Sequence, residues 1–240
     1  VNGLHANLQL FFIRKSFFGK NPFLSLIFDK SSMENLDASK FYKLLLSDLG
    51  FTAKAGQDLA LQQLSRFVLN NNRDELFVLK GFAGTGKTTI ISTLVKNLWQ
   101  IKKSGVLLAP TGRAAKVISN FPKKSGGSGV QFVLQPNKHK NSIFIVDEAS
   151  MISDTPTNSK LMENGSLLDD LIQFVYSGHN CQLILIGDTA QLPPVKMEIS
   201  PALEAEKLQF SYNKEVHHIE LDEVVRQAEE SDILLNATKI

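Results

Sequence analysis

The chain has 240 residues, enough for one large domain or two small ones. A hydrophobic fraction of 43% and a charged fraction of 21% exclude a disordered, collagen-like or coiled-coil protein. One cysteine, Cys181, excludes a disulfide framework and a four-cysteine zinc site and fits a reducing, cytoplasmic compartment. The net charge of +2 is too small to argue for a nucleic-acid partner.

The charge is unevenly placed. Residues 1–32 carry Arg14, Lys15, Lys20 and Lys30 against Asp29, and six of the 16 phenylalanines. The remainder is close to neutral. The apolar runs LQLFFI and LSLIF are too short for a membrane span of about 20 residues or a signal-peptide core of about 7 to 15. Met33 opens an ordinary helical pattern, so 1–32 is expected to lie outside the functional domain as upstream sequence read through. The alternative is a native extension packed on the body.

Residues 33–50 read as a helix, with Leu36, Phe41, Leu44, Leu45 and Leu49 apolar and Gly50 as the stop. A second helix is predicted from about Gln57 to Leu69, and Asn70 to Asn72 as a turn. ELFVLKG (75–81) reads as a buried strand, followed by a Gly-rich loop and a helix from Lys87 to about Ile101. GVLLAP is a strand and TGRAAKVISN a helix start. KKSGGSG (123–129) reads as a flexible loop before the short strand candidate VQFVL. SIFIVDEAS is a strand ending in acids, SLLDDLIQFVYSG a helix, CQLILIGD a strand, HHIEL a weaker strand, and the last 17 residues helical. Apolar strands alternating with helices predict an α/β fold: a parallel sheet with helices on both faces, and ligands at the carboxyl ends of its strands.

GFAGTGKT (81–88) matches G-x-x-x-x-G-K-[ST] between a strand and a helix. Gly81, Gly84 and Gly86 let the backbone turn tightly, so that the N–H groups of Ala83, Thr85 and their neighbours converge at a helix N-terminus. Lys87 can reach the β- and γ-phosphates of ATP, the Thr88 hydroxyl can hold Mg2+, and Thr89 can add a phosphate contact. IFIVDEAS leaves Asp147 and Glu148 at the end of a buried strand. Asp147 is placed to hold Mg2+, and Glu148 to take a proton from an attacking water.

Three further strand ends carry polar groups. In LILIGDTAQLPPV, Gln191 is positioned to feel the γ-phosphate, while Asp188 reads equally as a functional group or a turn cap. LLAPTGRAAK offers Pro110, Thr111, Gly112 and Arg113. These could bind a nucleic-acid backbone, or Arg113 is a helix-surface cation. Arg226 in LDEVVRQ is a phosphate-facing arginine or an ordinary surface one. Cys181 and Trp99 read as packing residues. His217 and His218 have no partner at ligand spacing, which argues against a metal site.

Taken in order, GFAGTGKTT, APTGRAAK, IVDEASMI, GDTAQLPPV and LDEVVRQ resemble the superfamily 1 DNA helicases of the RecD-like branch. The resemblance covers roughly 51–228 and implies a RecA-like P-loop motor domain. It implies ATP-driven movement along single-stranded DNA, 5′ to 3′, and duplex separation by a monomer, with no membrane involved. On that likeness Lys87, Thr88, Asp147 and Glu148 form the hydrolytic core. Gln191 couples the γ-phosphate to DNA, Arg226 stabilises transition-state charge, Pro110 to Arg113 lie along DNA, and Gln57 in AGQDLALQQL reads adenine. The pattern departs from the family in two places. No histidine precedes His139 in the interval that usually holds a Thr-Ile-His-type DNA contact. Residues 229–240 are only the start of a following region, so the family's second RecA-like domain is expected outside this chain. Two competing readings are a non-translocating ATPase or nucleotide switch, and a nucleotide- or DNA-binding module without turnover.

Overall fold

The computed structural model describes residues 36–110, 137–155, 166–191, 193–194, 197 and 199–225, together with the backbone of 11–13. The predicted helix before Gly50 is α1 (Ala38–Asp48), whose N-cap Asp37 accepts from the Lys40 N–H at 2.8 Å. It packs Phe41 and Leu45 against α2 (Ala55–Leu69). β1 (Phe11–Ile13), β2 (Glu75–Gly81), β3 (Ser104–Ala109), β4 (Lys140–Val146), β5 (His179–Gly187) and β6 (Glu215–Leu221) form one sheet in the order β1-β3-β4-β5-β2-β6. The last five run parallel, and β1 adds antiparallel to β3 at the edge. So residues 11–13 of the unusual N-terminal segment pair with the sheet.

The period-2 alternation of the strands divides the core between two faces. Phe77, Leu79, Ile143, Ile145, Ile184 and Ile186 pack under α1, α2 and α3 (Lys87–Asn97). Leu76, Val78, Phe144, Val146, Leu183 and Leu185 pack under α4 (Leu167–Ser177), where Leu171 and Val175 meet them. Each buried strand is apolar on both sides because a layer of helices covers each face.

Three features differ from the sequence reading. The helix after the Gly-rich loop ends at Asn97, because the chain tightens into a 3-10 turn at Leu98–Ile101 and reverses through Lys102 at φ 58°. That turn leaves Trp99 half exposed at 50%, not packed inside. The sequence reading missed α5 (Ala205–Tyr212), which buries only Leu208 and so shows little apolar period. TGRAAKVISN, KKSGGSG, VQFVL and the helix expected from Arg226 onward lie outside the described residues.

Candidate active site

β2 delivers Gly81 to the carboxyl edge of the sheet, and the chain turns there into α3. Gly81, Gly84 and Gly86 sit at φ 156°, 85° and 90°. A Cβ on Gly81 would stand 2.7 Å from the Leu221 carbonyl oxygen on the neighbouring strand, so this approach requires glycine. Gly86 is the N-cap of α3. The first-turn N–H groups of α3 have no partner within the helix, and with the helix dipole they attract anionic oxygens. Ala83, Thr88 and Thr89 are exposed around this turn. Thr85 is fully buried, and its hydroxyl donates to the Phe82 carbonyl at 2.9 Å, so its side chain closes the loop on itself.

Lys87 folds back over the loop. Its Nζ donates to the carbonyls of Gly81 at 2.6 Å and Phe82 at 2.8 Å. Burial pulls the amine below its usual range, while the negative charges of Asp188 and Asp147 act in the opposite direction. The lysine therefore lies within the field of two acids carried by two other strands.

Those acids are placed by the sheet order. β5 lies between β2 and β4, so the acidic end of β4 faces the loop across one strand. The Asp147 N–H donates to the Leu108 carbonyl at 3.0 Å, extending the β3–β4 ladder to the turn. Burial pushes the Asp147 carboxyl up, opposed by the Glu148 N–H on its Oδ1 at 2.9 Å and by Lys87. Glu148 adopts the left-handed region at φ 55°, uncommon for a residue with a Cβ. The sharp reversal turns the chain out of β4 at the residue that carries the second carboxylate. Thr88 and Asp147 offer a hydroxyl and a carboxylate, hard oxygen donors that fit Mg2+.

After β5, Asp188 Oδ1 accepts from the Ala190 N–H at 2.9 Å, so Asp188 caps the turn and also acts on Lys87. Gln191 Oε1 accepts from the Ser150 hydroxyl at 2.8 Å, tying this turn to the one holding Glu148. The sequence reading did not single out Ser150. Nothing in a serine 41 positions from its partner marks the pairing. Gln57 is 2% exposed, and its amide contacts the Gly-rich loop from beneath. Gly84 accepts from the Val225 N–H at 3.0 Å, which brings the chain just before Arg226 to the loop. Pro110 is buried at the end of β3, while Thr111, Gly112, Arg113 and Arg226 lie outside the described residues.

At the opposite edge of the sheet, β2–β6 pairing sets His217 Nε2 at 3.3 Å from Glu75 Oε2, a partnership that the spacing in sequence had not suggested. Glu75 also accepts from Asn70 and Asn72.

The sequence pattern of the AAA domain family matches residues 53–239. The chain is 34% identical over 141 residues to the ATP-dependent DNA helicase RRM3 of Saccharomyces cerevisiae, covering 48% of this chain and 18% of that protein. It is 31% identical over 131 residues to the ATP-dependent RecD2 DNA helicase of Deinococcus radiodurans, covering 50% of this chain and 16% of that one. The crystal structure of Pif1 helicase from Candida albicans overlays with a TM-score of 0.48 at 23% identity, covering 79% of this chain and 44% of that one. The chain thus spans less than a fifth of these two curated relatives. Among the described residues no helix is long and apolar enough to cross a membrane.

Proposed function

Because this chain belongs to the AAA domain family, we propose that residues 51–228 are the ATP-binding and ATP-hydrolysing first motor domain of a DNA helicase that acts on single-stranded DNA. The observation that carries this is the sheet order, which sets the Gly-rich loop with Lys87 at the carboxyl end of β2 and Asp147 at the carboxyl end of β4, with β5 alone between them. Phosphate-binding and metal-binding chemistry therefore share one edge of the sheet.

The backbone from Gly81 through Gly86 and the start of α3 receive the phosphates, with Thr89 adding a hydroxyl. Lys87 exchanges two loop carbonyls for the β- and γ-phosphates. Thr88 and Asp147 hold Mg2+, which when bound neutralises phosphate charge. Glu148 accepts the proton of the attacking water. Gln191, anchored by Ser150, senses the γ-phosphate and couples it to DNA. Arg226 stabilises the developing charge, a reading supported by the bond of its neighbour Val225 to Gly84. Pro110, Thr111, Gly112 and Arg113 line the DNA strand, and movement runs 5′ to 3′; the family likeness alone supports both. Adenine reading by Gln57 also rests on the likeness.

In this reading the working motor is a monomer with a second RecA-like domain, and residues 11–13 of the N-terminal segment add an edge strand to the motor domain's sheet. An arginine that stabilises the transferring phosphoryl group is worth roughly 10³ to 10⁵ in rate. That corresponds to about 4 to 7 kcal/mol of barrier. If the second domain carries one, this chain binds ATP, hydrolyses it slowly and does not separate duplex.

Glu148→Gln tests the assignment. Turnover of ATP should fall by about 10² or more, with ATP binding retained. Unchanged turnover would remove Glu148 from the mechanism. Stimulation of wild-type turnover by single-stranded DNA separates a helicase motor from a switch that ignores DNA.

A further inference from the structure

We infer that Glu75, Glu215 and His217 form a binding site for one divalent ion of the zinc class, which clamps β6 to β2. The site is separate from the nucleotide site. Its residues lie at the amino ends of the two strands, about 20 Å from the Gly-rich loop by the rise of six strand residues. β2 and β6 run parallel, and their register sets Glu75 beside Glu215 and Phe77 beside His217. Residues two apart on a strand share a face, so the three side chains gather on one side of the sheet. One ligand atom from each lies within 4.8 Å of the others.

The distances suit a metal. Ligand atoms about 2.0 to 2.1 Å from a tetrahedral zinc stand about 3.3 to 3.4 Å from one another. His217 Nε2 and Glu75 Oε2 are 3.3 Å apart. Glu215 Oε1 is 4.0 Å from the same nitrogen, and its side chain is 68% exposed, so it closes on an ion by a rotation in solvent.

Two further observations point to a ligand. The first is an unmet polar atom. His217 Nε2 is enclosed, and among the described residues nothing hydrogen-bonds it; Glu75 Oε2 is near but outside hydrogen-bond geometry. The second is a buried carboxylate without a cation. Glu75 is 5% exposed. The cations beside it are engaged elsewhere, Lys214 on the Arg73 carbonyl at 2.7 Å and Arg73 on the Tyr176 carbonyl. Glu75 Oε1 accepts from Asn70 at 2.6 Å and Asn72 at 3.0 Å, and these neutral amides leave its charge uncompensated. They act as the outer-shell bonds that aim a ligating carboxylate, with Oε2 left for the ion. The imidazole is held as firmly, stacked on Phe77 at 6.5 Å and edge-on to Phe67 at 6.1 Å. One nitrogen and two oxygens, with no thiolate, favour Zn2+ or Co2+ over Mg2+, which takes oxygens.

The test titrates the tag-free full chain with Zn2+ by calorimetry and with Co2+ by visible absorption, in excess Mg2+ so that oxygen-only sites are filled. The wild type should take up one ion, and Co2+ should show the intense visible bands of a four-coordinate site, with water as the fourth ligand. At about a hundred times its dissociation constant, Zn2+ should raise the melting temperature by about 5 to 10 °C. His217→Phe keeps a ring on Phe67 and Phe77 and removes the nitrogen. Glu75→Gln keeps an acceptor for Asn70 and Asn72, removes the charge and supplies a donor to His217 Nε2. Each should weaken binding by more than about 100-fold, since loss of an outer-shell partner alone costs about 10- to 100-fold. Glu215→Gln should weaken it as well. All three variants should melt near the metal-free wild type. A wild type that binds neither ion would overturn the inference. So would equal affinity in wild type, His217→Phe and Glu75→Gln, which would put the ion elsewhere, for example on Asp147. If one variant fails to fold, the other two carry the comparison.

Discussion

A methyl added at either Gly81 or Gly56 would meet Leu221, and replacing each with alanine should move stability in opposite directions. At Gly81 the backbone sits at φ 156°, and an added Cβ meets Leu221 O at 2.7 Å, Thr85 Oγ1 at 2.8 Å and Leu221 Cβ at 2.9 Å. Two of these atoms belong to β6, and the register pairs Gly81 with Leu221 itself, so relief requires moving one strand from its neighbour. Backbone strain of about 1 to 3 kcal/mol and overpacking of similar size together give about 4 kcal/mol. For a domain of this size about 2 to 4 °C is lost per kcal/mol, so Gly81→Ala should melt about 8 to 16 °C lower. At Gly56 the φ is ordinary, the residue lies in α2, and its Cβ would stand 3.5 Å from Leu221 Cδ2, a normal contact. Alanine there reduces the entropy of the unfolded chain and should raise stability by about 0.5 to 1 kcal/mol, or about 1 to 4 °C. Circular dichroism melts of the two variants beside the wild type read both effects. A Gly81→Ala protein melting within 1 °C of wild type would refute the steric account. Equal losses in both variants would show that Leu221 is merely sensitive to any added methyl.

Two further substitutions probe other parts of the molecule. Ser150→Ala removes the hydroxyl that holds Gln191 at 2.8 Å. Steady-state kinetics should show kcat for ATP falling about fivefold to tenfold with KM little changed. Lys103 is 7% exposed, donates to Gln182 Oε1 at 2.6 Å, and is pushed down to about 8 by burial. Between pH 8 and the ordinary lysine value the unfolded chain binds more protons than the folded one, so stability should rise with pH across that window. Denaturant unfolding from pH 7 to 10.5 should show this rise in the wild type and a flatter profile in Lys103→Met.

The motif strings reported what they did because each is short and contiguous. In GFAGTGKT the strand, the glycines that permit left-handed φ, the lysine and the helix start lie within eight residues, so local chemistry and local geometry coincide. The same holds for IFIVDEAS, where an apolar run must end before Asp147 and Glu148 can meet water. Continuous apolar runs announced a sheet covered on both faces, and the core is divided between Phe77 and Leu79 on one side and Leu76 and Val78 on the other. α5 escaped notice because it buries one residue, too few to leave a period.

The sequence by itself determined the elements and the chemistry at their ends: the phosphate loop, the acid pair and the glycines that only one conformation suits. Tertiary structure decided which ends meet. Only the order β3-β4-β5-β2-β6 sets Asp147 one strand away from the loop and puts Ser150 on Gln191. It also gives His217 a carboxylate partner in Glu75, where sequence spacing had suggested none. Gln57 is the sharpest case. Its string resembles a segment that reads adenine, and the packing of α2 under the loop also sets its amide on the Thr85 carbonyl. Periodicity records how a residue relates to its neighbours along one element. A partner 28 or 41 positions away is chosen by the close packing of several elements at once, and that leaves no local mark.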